Sequence, residues 1–141
     1  MTRVTRRYKF AGSHRLHSEQ FSDGENRELY GKCNNPHGHG HDYVLEVSVS
    51  GPLDPVSGQV VNVSMLDRLV STEVVRDFDH KYMNADVSEF QELIPTSENI
   101  LHVIEERLAA HWKSVFAGEW PRLEAIRLRE TRRNQFELRA S

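Results

Sequence analysis

The stretch Cys33-Asn34-Asn35-Pro36-His37-Gly38-His39-Gly40-His41-Asp42-Tyr43 holds the only cysteine of the chain and three of its eight histidines. From His39 onward, His39, His41, Tyr43, Leu45, Val47 and Val49 alternate with Gly40, Asp42, Val44, Glu46, Ser48 and Ser50. Alternate side chains of a strand share a face. His39 and His41 therefore project onto the apolar face, where neutral imidazoles lack partners unless something binds them. Zinc does so well, because imidazole is a borderline ligand. A third ligand comes from the N-terminal segment. Tyr8, Phe10, Gly12 and His14 share parity, and Val4 to Ala11 is rich in strand formers. Antiparallel pairing with the strand after His41 brings His14 beside His39 and His41. Three histidines and one open position describe a catalytic zinc. A structural zinc closes the fourth place, usually with cysteine, and Cys33 is the available thiol.

Cys33 has three readings: a small buried apolar residue, that fourth ligand, or a general base. Its neighbours Lys32, Asn34 and Asn35 are polar, and a nearby cation and metal lower a thiol pKa, which favours the base. Asp79-His80 closes a predicted helix. Histidine there complements the helix dipole, or the carboxylate orients the imidazole as a proton relay. Glu130 shares parity with Ile126 and Leu128, which puts a carboxylate on an apolar face, where it needs a partner. Arg129 points the other way. An anchor for a guanidine-like edge, held in a bidentate manner, is the functional reading. Thr96-Ser97-Glu98 starts a helix, with Thr96 as N-cap.

The elements that position these groups follow from pattern and punctuation. Val4 to Ala11 is the first strand. Ser13 to Lys32 is a long polar connection, a length that is usually functional. His39 to Ser50 is the second strand, and Gly51 to Gly58 is a turn. Gln59 to Val63 is a short strand or lead-in. Ser64 to Phe78 reads as a helix, with Leu66, Leu69, Val70 and Val74 at helical spacing and Ser64 as N-cap. Ile100, Leu101, Ile104, Leu108 and Trp112 form the stripe of a second helix. Leu123 to Thr131 and Phe136 to Arg139 are strands around the turn Arg132 to Gln135. The order is β-β-α-α-β-β, an α+β domain with an antiparallel sheet covered on one face by two helices. Such a sheet leaves edge strands open, and open edges are often resolved by joining subunits.

The chain has 141 residues, is 38% hydrophobic and 28% charged, and carries a net charge of −3. That suits one globular domain spanning 1–141 and gives no general attraction to nucleic acid or anionic membrane. No apolar run approaches the ~20 residues of a membrane span, and no leader is expected behind Met1-Thr2-Arg3. A lone cysteine fits a reducing cytoplasm.

Taken in order, Phe10-Ala11-Gly12-Ser13-His14-Arg15-Leu16, Leu29-Tyr30-Gly31-Lys32-Cys33-Asn34-Asn35-Pro36, His39-Gly40-His41-Asp42-Tyr43, Asp79-His80-Lys81, Thr96-Ser97-Glu98-Asn99 and Glu130-Thr131 resemble the 6-pyruvoyl-tetrahydropterin synthase family. The resemblance implies a T-fold (tunnelling fold), with sheets joined into a barrel and trimers stacked into a hexamer. It implies zinc on His14, His39 and His41, Cys33 as base, and Asp79 and His80 as relay. Glu130 would anchor a pterin, with Thr96, Ser97 and Glu98 near the same ring. The activity implied is a lyase that converts 7,8-dihydroneopterin triphosphate to 6-pyruvoyl-tetrahydropterin. Arg15, Lys32, Arg132 and Arg133 are candidates to meet the triphosphate, although exposed basic residues are mostly just solvated. A second register, His37-Gly38-His39, sets Cys33 four residues before the first histidine, the spacing of the related 6-carboxytetrahydropterin synthase of queuosine biosynthesis. In the first register Cys33 is six before His39, and Tyr43 follows as in the pyruvoyl enzymes, so His37 is read as a loop histidine. Two rivals come from other classes. One is a structural zinc module closed by Cys33, the other a hydrolase with a Cys33 nucleophile and His80.

Overall fold

Side-chain alternation along two long strands sets the architecture. In the computed structural model, which describes residues 1–140, strand β1 (Thr2–His14) pairs antiparallel with β2 (His39–Gly51) over its whole length. The register runs from Thr2 opposite Gly51 to His14 opposite His39. Helix α1 (Asp23–Tyr30) and a 3₁₀ turn (Gly31–Asn34) lie between these strands. After β2 come α2 (Val63–Val70), a π turn (Ser71–Val75) and the short α3 (Arg76–Phe78). Strand β3 (Lys81–Tyr82), α4 (Met83–Asp86) and a 3₁₀ turn (Ser88–Gln91) lead to the long α5 (Ser97–Val115). Strands β4 (Arg122–Arg129) and β5 (Gln135–Arg139) complete the sheet, whose order is β3-β1-β2-β4-β5.

One face of the sheet is apolar. Phe10, Tyr43, Leu45, Val47, Val49, Ile126 and Leu128 pack there against Leu66, Val70, Val74 and Phe78 and against α5. The expected stripe Ile100, Leu101, Ile104, Leu108 and Trp112 is buried. The opposite face carries charge, as in the pairs Arg7–Glu46 and Arg127–Glu137.

The structure departs from the sequence reading in several places. The Ser13 to Lys32 connection contains α1, started by a capping box in which Ser22 and Glu25 satisfy each other's backbone N–H. The S-x-x-E signal was present in the sequence. No strand forms over Gln59 to Val63, and Asn62, not Ser64, caps α2 by accepting from Met65 N. The helix to Phe78 is interrupted by the π turn, and β3 adds a short parallel pairing on β1 at Gly12 and Ser13. Strand β4 stops at Arg129, so Glu130 opens the turn, with its N–H on Asn134 O at 3.3 Å.

Two local devices hold the site end of the sheet. Arg107 on α5 donates to Glu73 O in the π turn, to Asp77 at 2.6 Å and to both Glu89 oxygens. Its hydrogen bonds, and then its charge, hold the Glu89 carboxyl down at about 2. These bonds fix the end of α3, from which Asp79 and His80 emerge. Gly38 adopts φ +80°, and a Cβ there would lie 2.8 Å from His14 O and 3.0 Å from the Tyr82 ring. Gly38→Ala is therefore expected to cost about 1–3 kcal/mol of stability, read from urea unfolding. An unchanged midpoint would show that the approach to His39 tolerates a side chain.

Candidate functional site

The paired ends of β1 and β2 bring the histidines together. His14 sits opposite His39, and Gly12 opposite His41. The His14 and His41 rings are 5.0 Å apart between centroids, and those of His39 and His41 are 4.8 Å apart. His14 is fully buried. Its Nδ1 meets Pro95 O at 2.8 Å. A carbonyl only accepts, so Nδ1 carries the proton and Nε2 keeps its lone pair. That Nε2 is buried without a hydrogen-bond partner among the described residues. A buried polar atom left unpaired is costly. A metal ion is the partner that such a nitrogen fits, with the carbonyl on the other nitrogen fixing the ring.

His14, Cys33, His41 and Glu130 each bring one ligand atom into a group whose members lie within 4.8 Å of one another. His41 Nε2 is 3.2 Å from Glu130 Oε1 and 3.6 Å from Cys33 Sγ. Burial pushes the His14 and His41 imidazoles down, which keeps them neutral, as metal ligands must be. His39 stands at the edge of this group. It is half-buried, with its ring against that of His41 and near enough to His14 to act on it electrostatically. His37 is exposed on the loop.

Cys33 is held by the chain leaving β1. Leu16 N donates to Cys33 O at 2.7 Å, and the buried Asn34 donates from Nδ2 to Leu16 O at 2.6 Å. Burial, and then the Glu130 carboxylate, push the Cys33 thiol up. This is opposite to the lowering expected from Lys32, whose side chain is exposed. The loop half-buries Cys33 while its lysine stays in water. A dication, were one held by this group, would supply the reverse push.

Glu130 lies where its parity placed it, with its side chain 13% exposed. Ser97 Oγ, at the first turn of α5, donates to Glu130 Oε2. Thr96 caps α5 by accepting from Asn99 N. Ser97 is buried beside the carboxylate, while Glu98 is exposed.

Asp79 and His80 are placed differently. Asp79 Oδ1 accepts from Ala11 N at 2.9 Å, and His80 N donates to Ala11 O at 2.6 Å. The pair is thus pinned to the outer edge of β1. Asp79 Oδ2 lies 3.0 Å from His80 Nδ1. The Ala11 N–H, then the His80 ring, hold the Asp79 carboxyl below its usual value. His80 has φ 59°, a conformation that non-glycine residues rarely adopt and that tends to persist at functional sites. Its side chain is 82% exposed and borders an open cleft of about 650 Å³ with Ser13, Asp42, Lys81 and Tyr82. Within one chain, neither Asp79 nor His80 is among the four residues whose ligand atoms converge, so the relay pair stands apart from the Cys33 group, although His41 belongs to that group and also lines the cleft.

Of the four basic candidates, Arg15 donates from Nε to Asn34 O at 3.3 Å, and Lys32, Arg132 and Arg133 are exposed. Sequence reasoning overlooked Asn34, whose amide braces the Cys33 loop, and Pro95, whose carbonyl orients His14. Neither type signals such a role by itself.

The geometry has counterparts. The structure of 6-pyruvoyl tetrahydropterin synthase from Caenorhabditis elegans superposes with a TM-score of 0.87 at 38% identity, over 99% of this chain and 96% of that one. A 6-pyruvoyl tetrahydrobiopterin synthase of Poecilia reticulata is 40% identical over 131 residues, 93% of this chain and 85% of the relative. The one from Homo sapiens is 43% identical over 105 residues, 74% of this chain and 72% of that protein. A model of the family described as 6-pyruvoyl tetrahydropterin synthase matches residues 3–141. No helix among the described residues is long and apolar enough to cross a membrane. With the site-bearing strands, the sheet order and almost the full length accounted for by that match, the chain belongs to the 6-pyruvoyl tetrahydropterin synthase family.

Proposed function

We propose that this chain is a zinc-dependent carbon–oxygen lyase that converts 7,8-dihydroneopterin triphosphate to 6-pyruvoyl-tetrahydropterin with loss of triphosphate. One observation carries the reading. A buried His14 with an unpartnered Nε2 meets His41, Cys33 and the Glu130 carboxylate in one small volume. His14, His39 and His41 would hold the zinc, with His39 closing in from the edge of the group. When bound, zinc supplies Lewis-acid polarisation of the substrate's side-chain oxygens. Cys33, as thiolate, takes the proton from the side-chain carbon next to a hydroxyl. Asp79 orients His80, which passes protons during the tautomerisation. Glu130 accepts from the adjacent N–H and amino group of the pterin, held in place by Ser97. Thr96 and Glu98 border the same ring.

The 6-carboxytetrahydropterin reading is not favoured, because the relatives at 40–43% identity bear the pyruvoyl name. The lone cysteine supports a reducing, cytoplasmic setting. The open sheet edges and the separated relay pair support a homo-oligomer, for which the family resemblance implies a trimer or hexamer. Incubation with 7,8-dihydroneopterin triphosphate and mass spectrometry of the product tests the activity. A product retaining the three-carbon side chain is expected, and one carrying a carboxylate in its place would restore the rival. A zinc-independent covalent adduct on Cys33 would instead mark a hydrolase.

Glu130→Gln is expected to weaken binding of a pterin analogue by about 1.5–3 kcal/mol and to leave zinc in place. The amide presents a donor to the pterin's own donors where the carboxylate accepted. Calorimetry with the analogue, beside metal analysis, reads both. Unchanged affinity would remove Glu130 from the pterin site.

A further inference from the structure

The turn before α5 touches two groups of the site at once. Pro95 O accepts from His14 Nδ1 at 2.8 Å, and Ser97, two residues on, donates to Glu130. The Pro95 carbonyl and the Thr96 N–H belong to one planar trans peptide unit, so they point in opposite directions. Thr96 N donates back to Ile94 O at 2.8 Å, which turns Pro95 O toward His14. The same Ile94 carbonyl accepts from Asn99 Nδ2 at 2.8 Å. Asn99 N in turn donates to Thr96 Oγ1 at 3.2 Å. Asn99 therefore clasps the turn from inside the first turn of α5.

We propose that Asn99 is a positioning residue. By holding the Ile94 carbonyl it aims the Pro95 carbonyl at His14 Nδ1. That keeps His14 in the tautomer whose Nε2 is free for metal, and it keeps Ser97 on Glu130. The inference deepens the reading of this site as a zinc and pterin centre and rests on it. One side chain then supports both affinities. Partners that orient a metal-binding histidine typically change metal affinity by about 10–100-fold when lost.

The variant that separates this role from helix initiation is Asn99→Asp. Aspartate at the third position of α5 favours the helix dipole and keeps the side-chain shape, but it has no N–H for Ile94 O. Three readouts apply to the full-length protein: the His14 tautomer by ¹⁵N NMR after metal stripping, zinc affinity by chelator competition, and 7,8-dihydroneopterin affinity. Wild type is expected to show the Nδ1–H tautomer. Asn99→Asp is expected to show a mixture, with zinc bound about 10–100-fold more weakly and the pterin weakened alongside. Asn99→Ala should do the same with an added loss of thermal stability. A folded Asn99→Asp protein with the wild-type tautomer and zinc affinity overturns the proposal. Wild type that binds zinc but not 7,8-dihydroneopterin would sink the pterin reading alone, leaving the His14 role to stand or fall on tautomer and zinc affinity.

Discussion

Cys33→Ala is expected to lower turnover by about 10²–10⁴-fold, the usual worth of a general base, while zinc content stays near that of the wild type. The structure makes this a sharp test, because Cys33 Sγ stands 3.6 Å from His41 Nε2 inside the group of possible ligands. A thiol so placed can serve as base or as fourth ligand. The base needs an open metal position, which a closed Cys-His-His-His site would not provide. Metal analysis and turnover measured on the same preparation decide between the two. Retained zinc with lost turnover fits the base. Zinc lost together with activity would make Cys33 a ligand and support a structural centre.

The sequence made some parts of this site readable and hid others, for physical reasons. The period of two places every side chain of a strand once its pairing is known. That is why His14, His39 and His41 could be set side by side and Glu130 assigned to the apolar face before any coordinates. The long α5 was equally plain, because Thr96 caps it and its stripe repeats over several turns. Short elements carry too few residues for a period to show. Strand β3 has two residues and α4 has four, and β3 is held by its pairing with β1, a contact between segments distant in sequence. The π turn at Ser71–Val75 is supported by Arg107 bonding to Glu73 O from another helix, a tertiary contact that no local pattern announces. The rise of the Cys33 thiol pKa has the same origin, since burial by the folded loop outweighs the lysine beside it in sequence.

Active oligomers are expected when two inactive proteins, Cys33→Ala and His80→Ala, assemble together. The reason is the separation already described. Asp79 and His80 are bonded to Ala11 on the outer edge of β1, and the His80 side chain is 82% exposed beside an open cleft. Cys33 lies at the other constellation, held by Leu16 and Asn34. A relay must come within hydrogen-bond reach of the proton it moves, so the pair is expected to serve the Cys33 of an adjacent subunit. If assembly is random from equal amounts, roughly a quarter of the interfaces join an intact Cys33 to an intact His80. Activity of the unfractionated mixture should recover to about that fraction of wild type, and of the isolated mixed oligomers to somewhat more, while each parent alone stays inactive. The two proteins carry different affinity tags and are refolded together, and sequential capture on both tags isolates the mixed oligomers. Were each site complete within one chain, every site in the mixture would still lack one group. Mixed oligomers as inactive as their parents would therefore place the relay within its own subunit.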